Sequence, residues 1–209
     1  SPELVGKLHV TTAPLPAAAF EPSTWIRIDP DGQITFKIAK SEMGQGIRTS
    51  FAMIIAEELD ADWNAVRVQH ALPHELKKGE KIETTGGSNS ILLNYEQLRA
   101  TGAAAKAMLC AAAARIWGID ASDCRTQKSV VTEVNGSRSM TYGELSEQAA
   151  KEEIPLNPQL KQASEFTLIG TRKPHIDTAD IVSGKAKYGI DIRLPGMKYA
   201  VLVTSPTLG

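Results

Sequence analysis

The chain has 209 residues, of which 42% are hydrophobic and 22% are charged, and its formal net charge at pH 7 is −1. This length is sufficient to bury a core and is typical of one globular domain and part of a second. The near-neutral charge and an aromatic content of 5% argue against nucleic acid or an anionic membrane as a partner. No run of about 20 apolar residues occurs, so we expect no transmembrane segment.

The first third of the chain predicts a hairpin, a helix and a strand. Apolar and polar residues alternate over 24–28 and over 34–38, and Asp29-Pro30-Asp31-Gly32 between them is typical of a turn. A helix is expected at about 49–59, followed by a strand over 66–70. This part of the sequence therefore predicts a sheet with one buried face and a helix packed on it.

The middle of the chain predicts the longest helix. It runs from Ser90 to Trp117, is rich in Ala and Leu, and has Gly118 as its carboxyl-terminal stop. Beyond it, Asn135-Gly136 is a strong hairpin signal, and Thr141 with Glu144 has the spacing of a capping box that opens a short helix. Together these elements predict an α+β fold, in which an antiparallel or mixed sheet packs against helices.

Changes in composition predict four segments along the chain. Charge and two prolines mark a linker between the α+β domain and a second unit. We predict an amino-terminal extension over 1–22, the α+β domain over 23–150, the linker over 151–165 and the start of the second domain over 166–209.

Two glycine-rich loops, each leading directly into a predicted helix, are the most informative feature of the sequence. The backbone N–H groups and the positive dipole end of a helix N-terminus bind anions, and glycines let a phosphate approach the backbone closely. We interpret the pair as a site for a phosphorylated cofactor. The alternative, that both loops only form turns and caps, stays open at this point. The candidate binding residues are Met43, Gly44, Gln45, Gly46, Thr85, Gly86, Gly87, Ser88 and Ser90.

Other residue types that could bind a metal give weaker signals. Cys110 and Cys124 are too few for an iron–sulfur cluster, and no His or Cys spacing is typical of a zinc site. We expect Cys110 to be a small buried thiol, with a disulfide to Cys124 as the less favoured alternative. His70 and His74 lie four residues apart but straddle the end of a predicted strand, so we assign no metal ligand.

A run in the last quarter of the chain resembles the xanthine oxidase family of molybdenum hydroxylases. In that family the pattern Gly-x-Ala-x-Tyr-x-x-Asp-Ile-x-x-Pro-Gly-Met opens a hammerhead-like α/β domain. The loop at 42–46 is similar to the family's Glu-Met-Gly-Gln-Gly loop, and 87–90 is similar to its second small-residue loop. The residues that fit the longer pattern are Gly184, Ala186, Tyr188, Asp191, Ile192, Pro195, Gly196 and Met197.

The resemblance covers nearly the whole chain and implies a molybdopterin-binding domain followed by the start of the hammerhead-like domain. The two loops precede the hammerhead-like segment here, an order similar to that of the isoquinoline oxidoreductase large chain and related aldehyde dehydrogenases. By this resemblance both loops contact molybdopterin with its molybdenum, in the cytosine dinucleotide form. Gln45 would bond to the phosphate side of the pterin, and Gly87, Ser88 and Ser90 would line the pterin and its phosphate.

The resemblance also implies a function. The chain would be the amino-terminal portion, a fragment, of a large subunit that oxidises aldehydes or N-heterocycles. Its electrons would pass to a partner subunit that carries the iron–sulfur clusters, and a cytochrome c could accept them in turn. The family's catalytic base is a glutamate near the carboxyl end of the longer subunit. We therefore assign no catalytic residue in this chain and expect it to be inactive by itself.

Three further expectations follow at this stage. Glu42 lies beside the first loop, and we expect it to act as a hydrogen-bonding or dipole partner and not as a catalytic base. The resemblance implies a periplasmic protein exported by the twin-arginine route, or otherwise a cytoplasmic one. A function of another class remains as the alternative, namely a non-catalytic module that binds a phosphate or a cofactor.

Overall fold

The computed structural model of the protein describes residues 19–71 and 85–207. Contacts divide the chain into two units, Ser1–Lys173 and Pro174–Gly209. The predicted domain boundaries, including the one at 165–166, stay predictions.

A four-stranded mixed sheet forms one layer of the first unit. Its strands are β1 (Phe20–Ser23), β2 (Ile26–Ile28), β3 (Ile34–Ile38) and β4 (Val66–His70), in that spatial order. β2 is antiparallel to both β1 and β3, whereas β3 and β4 are parallel, with Ile34 opposite Val66. A parallel pair needs a crossover connection, and helix α1 (Ile47–Leu59) supplies it.

Two long helices and a small second sheet complete this unit. Helix α2 (Ser90–Trp117) packs on α1, and Gly118 ends it in the left-handed conformation. The second sheet consists of β5 (Cys124–Gln127), β6 (Val130–Glu133) and β7 (Ser139–Thr141), all antiparallel. Helix α3 (Tyr142–Ala149) follows and begins at a capping box formed by Thr141 and Glu144. The predicted α+β fold with a mixed sheet and packed helices is confirmed.

Two strands were missed by the sequence analysis. β1 contains Pro22, which cannot donate a ladder hydrogen bond, and it overlaps the predicted amino-terminal extension. It is tolerated because it lies at the sheet edge. β5 is short and carries polar residues, so it has little strand signal of its own, and its pairing with β6 stabilises it. Helix α1 begins at Ile47, two residues before the predicted start.

α1 and α2 approach each other closely at Gly102. A Cβ atom placed there would lie 2.5 Å from the backbone oxygen of Ile55 and 3.0 Å from Cβ of Glu58. Small residues elsewhere on α2, such as Ala105 and Ala112, are fully buried in the same core. The Ala-rich composition of α2 is thus explained by close helix packing.

The second unit contains one short helix, α4 (Thr178–Val182), and a 3₁₀ turn over Gly189–Asp191. The resemblance places the first strands of a hammerhead-like domain here, but residues 174–207 form no strand. Strands need a neighbour for their backbone hydrogen bonds. The apolar side chains that would face a core remain exposed, including Val201, Leu202 and Val203. Among the described residues, no helix is both long and apolar enough to cross a membrane.

Residues 161–169, called the strap below, pack along α1 through the buried carboxylate of Glu57. Burial by itself raises the pKa of this carboxyl, but hydrogen bonds to its ionised form outweigh burial and hold the pKa below its ordinary value. The strap overlaps the end of the predicted linker. The donors are the Lys161 ammonium at 2.8 Å and the backbone N–H groups of Thr167 at 3.0 Å, Leu168 at 2.6 Å and Ile169 at 2.8 Å.

Replacing Gly102 with Ala should destabilise the protein even though Ala is the better helix former. The new methyl group would meet backbone, so we expect a net loss of about 1 to 3 kcal/mol in the free energy of unfolding, measured by urea denaturation. Thr101→Ala on the same helix is the control and should change stability by less than about 0.7 kcal/mol. A Gly102→Ala variant as stable as the wild type would contradict the close packing.

Glu57→Gln should make the free energy of unfolding less dependent on pH in the acidic range. Because the folded-state pKa lies below the ordinary 4.5, the carboxylate stabilises the fold at neutral pH, and this contribution is lost as the pH falls through the folded-state pKa. We expect Glu57→Gln to lose about 1 to 3 kcal/mol near neutrality and to show a shallower decline at acidic pH. Urea denaturation across a pH series tests this, with the exposed Glu147→Gln as control. Parallel pH profiles for Glu57→Gln and wild type would refute it.

Candidate functional site

The first glycine loop is organised around the carboxylate of Glu42. One oxygen accepts hydrogen bonds from the N–H groups of Gly44 at 2.8 Å and Gly46 at 3.0 Å, and the other accepts from the N–H of Arg48 at 3.2 Å. Gly44 and Gly46 have φ values of 98° and 82°, which favour glycine. The donors at the start of α1 therefore already bind an anion, which belongs to the chain itself. This geometry agrees with the expected hydrogen-bonding role of Glu42.

Gln45 uses both ends of its carboxamide within the same loop. Its Oε1 accepts a hydrogen bond from the N–H of Met43 at 2.7 Å, and its Nε2 donates to the carbonyl of Ser41 at 2.9 Å. The side chain is exposed, yet these two bonds close the loop on itself. Gln45 thus shapes the loop.

The second glycine loop has a different arrangement. Gly87 and Ser88 have φ values of 67° and 54°, and Ser88 is a non-glycine residue held in the left-handed region. Asn89 precedes α2 but forms no capping hydrogen bond with its side chain. Backbone strain of this kind is concentrated at functional sites. In the part of the chain that the structure describes, the start of α2 thus has no carboxylate cap like the one that closes the start of α1.

The two loops meet at one cavity. The N–H of Ser41 donates a hydrogen bond of 2.9 Å to Oγ1 of Thr85, which joins the loops directly. The cavity has a volume of about 360 Å³, and the predicted residues Gly44 and Gly46 do not line it. They hold the first loop in shape instead. The lining residues are Met43, Gln45, Ile47, Ser50, Thr85, Gly86, Gly87, Ser88, Ser90 and Ile91.

α1 and α2 run parallel away from this cavity. Ile47 and Ser90, their first residues, both border it. Roughly three turns further along each helix, Gly102 lies against Ile55 and Leu59. The positive dipole ends of both helices therefore point to the same side. Since Glu42 already accepts hydrogen bonds at the start of α1, the start of α2 is the better candidate of the two for binding an external anion, as far as the described residues show.

Sequence reasoning missed three residues of the cavity wall. Ile47 and Ile91 supply apolar surface, and the hydroxyl of Ser50 donates to the carbonyl of Gly46 at 3.0 Å. Each lies within the first turn after a glycine loop. Their proximity to the loops was visible in the sequence, but which side of each helix faces the cavity depends on the packing of the two helices.

The other candidates lie away from this cavity or outside the described residues. Both cysteines are free thiols. Cys110 is half-buried, whereas we expected a buried thiol, and burial raises its pKa to about 12. They border a separate cavity of about 380 Å³ together with Lys106 and Asp60. His70 is exposed at the end of β4. His74 lies outside the described residues.

Three curated proteins are similar to this chain. The beta chain of isoquinoline 1-oxidoreductase from Brevundimonas diminuta is 33% identical over 92% of the chain. A membrane-bound aldehyde dehydrogenase from Gluconacetobacter polyoxogenes, named with pyrroloquinoline quinone, is 36% identical over 90% of it. A subunit of nicotinate dehydrogenase from Pseudomonas putida is 27% identical over 90%. The chain spans only 29%, 25% and 16% of these relatives, respectively.

Two solved structures align with part of the chain. Quinoline 2-oxidoreductase from Pseudomonas putida 86 gives a TM-score of 0.48 at 19% identity, covering 58% of this chain and 15% of that one. CO dehydrogenase from Oligotropha carboxidovorans gives a TM-score of 0.46 at 23% identity, and the alignment covers 57% of this chain and 15% of that one.

A family match covers most of the chain, including both glycine loops and the cavity between them. Residues 5–182 match the family described as the molybdopterin cofactor-binding domain. The chain belongs to the molybdopterin cofactor-binding domain family.

Proposed function

We propose that the two-loop cavity holds the molybdopterin cofactor of a molybdenum hydroxylase, and that this chain is the amino-terminal part of its large subunit. The observation that carries the proposal is the convergence of both glycine loops and both helix N-termini on one cavity. Family membership supports the same ligand.

The chemistry of the cavity wall fits such a ligand. Hydroxyl groups of Thr85, Ser88 and Ser90 provide neutral hydrogen bonds suited to a polar ring system and to phosphate. Ile47 and Ile91 provide apolar surface for the face of a ring. The cavity thus combines a few polar groups with apolar walls, as small-molecule sites do.

Within this site we assign the phosphate to the second loop. The N–H groups of the first loop are already bonded to Glu42, and a phosphate there would face a carboxylate of the same charge. Among residues 19–71 and 85–207, no carboxylate caps the N-terminus of α2, and Gly86 and Gly87 are exposed beside it. The first loop would therefore orient the ring system, while the second would bind the anion.

The residues of this chain would bind and orient the cofactor, and the cofactor would supply the chemistry of the reaction. When present, the molybdenum centre supplies a two-electron oxidation that hydroxylates the substrate with oxygen derived from water. Met43, Ile47 and Ile91 would exclude water from one wall of the cavity, and Glu42 keeps the first loop closed. We assign proton transfer to no residue here, because the carboxylate of Glu42 already accepts three backbone hydrogen bonds that hold the first loop and the start of α1.

The relatives suggest substrates and partners for the whole protein. Their names specify isoquinoline, an aldehyde and nicotinate, so we propose an aldehyde or an N-heterocycle as substrate. Two of the names denote subunits. We propose a complex with an iron–sulfur subunit and with the rest of the large subunit, and a cytochrome c as a further electron acceptor. The cytosine dinucleotide form and periplasmic location are parts of the same proposal.

The cofactor itself can be identified directly. Protein isolated from a molybdenum-replete bacterial host should contain molybdenum, measured by plasma mass spectrometry, and a fluorescent pterin after oxidation. One relative is named with pyrroloquinoline quinone, so the quinone should be assayed in the same sample. Quinone without molybdenum would overturn the proposal, and a pterin without hydroxylase activity in the whole complex would favour the non-catalytic module.

Ser88→Gly should weaken cofactor loading without destabilising the cofactor-free protein. It removes a hydroxyl from the cavity and relieves the left-handed strain at that position. The loss of one hydrogen bond to a charged group corresponds to about 1.5 to 3 kcal/mol, or about 10- to 150-fold weaker binding. Molybdenum per protein is the readout, with the exposed Ser137→Gly as control. Normal loading in Ser88→Gly would exclude a binding role for this hydroxyl.

Gln45→Ala should behave differently, because this side chain closes the first loop. Losing its two internal hydrogen bonds should lower the stability of the cofactor-free protein by about 1 to 2 kcal/mol, measured by urea denaturation. Cofactor loading should fall only to the extent that the loss of these two hydrogen bonds makes the first loop less ordered. If stability is unchanged while loading falls more than in Ser88→Gly, Gln45 contacts the cofactor directly.

A further inference from the structure

Arg99 on α2 contacts three separate parts of the first unit. Its Nε donates a hydrogen bond of 2.7 Å to Oε1 of Glu58 on α1, and its Nη2 donates at 2.5 Å to the carbonyl of Lys161 in the strap. Its guanidinium also lies over the rings of Tyr95 and Phe166, at 5.5 and 5.3 Å from their centroids. Four contacts therefore hold this side chain in one position.

The side chain of Glu58 is also held in one position, by burial and by two hydrogen bonds. Its side chain is 0% exposed, and that of Arg99 is 12% exposed. The second oxygen of Glu58 accepts a hydrogen bond from the N–H of Lys161 at 3.0 Å. A buried ion pair with its remaining hydrogen bonds satisfied has a narrow geometry, and breaking it leaves a charge without compensation.

This ion pair lies well away from the cavity but on the two helices that form it. Arg99 is about 14 Å along α2 from Ser90, and Glu58 is about 16 Å along α1 from Ile47. Because the helices are parallel and stiff, a slide of α1 along α2 would displace one glycine loop from the other by the same distance. Close packing at Gly102 restricts such a slide, and directional contacts between charged side chains restrict it further. A hydrogen-bonded ion pair fixes the position along the helix axis.

We propose that Arg99 is a positioning residue for the two-loop cavity, acting through Glu58 to set the register of α1 against α2. The strap completes the arrangement, because the carbonyl and N–H of Lys161 bond to Arg99 and Glu58, respectively. The importance of this register for cofactor binding rests on the proposed function. The register of α1 against α2 is a property of the chain and can be tested without any cofactor.

The hydrogen bond between the Ser41 N–H and Thr85 reports on the register directly, since it joins the two loops. Amide hydrogen exchange at Ser41 in the cofactor-free chain, followed by NMR, is therefore the measurement. Thr85→Val removes the acceptor and defines the rate without the bond. Arg99→Met should raise the Ser41 exchange rate at least about 10-fold, the equivalent of about 1.4 kcal/mol, and Arg99→Lys should restore part of the protection through Glu58.

Two controls separate register from general stability. Val131→Ala creates a small cavity in β6 at a fully buried site, and Arg115→Met removes an exposed arginine from the same helix along with its pair to Glu152. Neither should accelerate exchange at Ser41 beyond the change expected from global unfolding. Equal acceleration in Val131→Ala and Arg99→Met would overturn the proposal.

A variant that leaves Glu58 buried and unpaired could fail to fold, so the double variant Glu58→Gln/Arg99→Met is the second test. It removes both charges and avoids the penalty of an uncompensated one. The proposal requires fast Ser41 exchange in this folded double variant, and wild-type protection there would refute it. No cofactor is involved, so a failure of this test is distinct from a failure of molybdenum loading.

Discussion

The cavity depends on the close, parallel packing of α1 against α2. Gly102 lets the two helices approach so nearly that a single methyl group would meet the backbone of Ile55. Their first residues, Ile47 and Ser90, then border the same cavity. Parallel helices repel through their dipoles, and this arrangement is therefore unfavourable unless the N-termini meet negative charge. Glu42 provides that charge at α1, and we propose that a bound anion provides it at α2.

The two glycine loops have different tasks despite their similar composition. In the first, side chains of the chain itself satisfy the backbone donors, so the glycines permit a tight closed turn. In the second, Ser88 holds a strained backbone conformation beside an N-terminus without a side-chain cap. Backbone strain of this kind is concentrated at functional sites, which makes this loop a candidate for ligand binding. We therefore propose that the first loop is the scaffold of the site and that the second loop binds the phosphate.

Buried charge connects this site to the rest of the first unit. Glu57 and Glu58 are adjacent in α1, and both are buried, with exposures of 1% and 0%. Glu57 binds the backbone of the strap, and Glu58 binds Arg99 of α2. Burying two carboxylates is costly unless each is fully paired. The strap is therefore an integral part of the packing around α1, and its first residues overlap the predicted linker.

The sequence by itself determined the elements whose signals are local. The limits of α2, the capping box of α3 and the turn chemistry of the hairpins depend on neighbouring residues, and both glycine loops were visible as helix starts. Tertiary structure alone decided which strands pair, because β1 and β5 are stabilised by their partners. It also decided that Glu42 and Gln45 bond to the backbone of their own loop and that Glu57 reaches residues more than 100 positions away. Such contacts depend on how two helices pack, and no local pattern encodes a distance between segments so far apart in the chain.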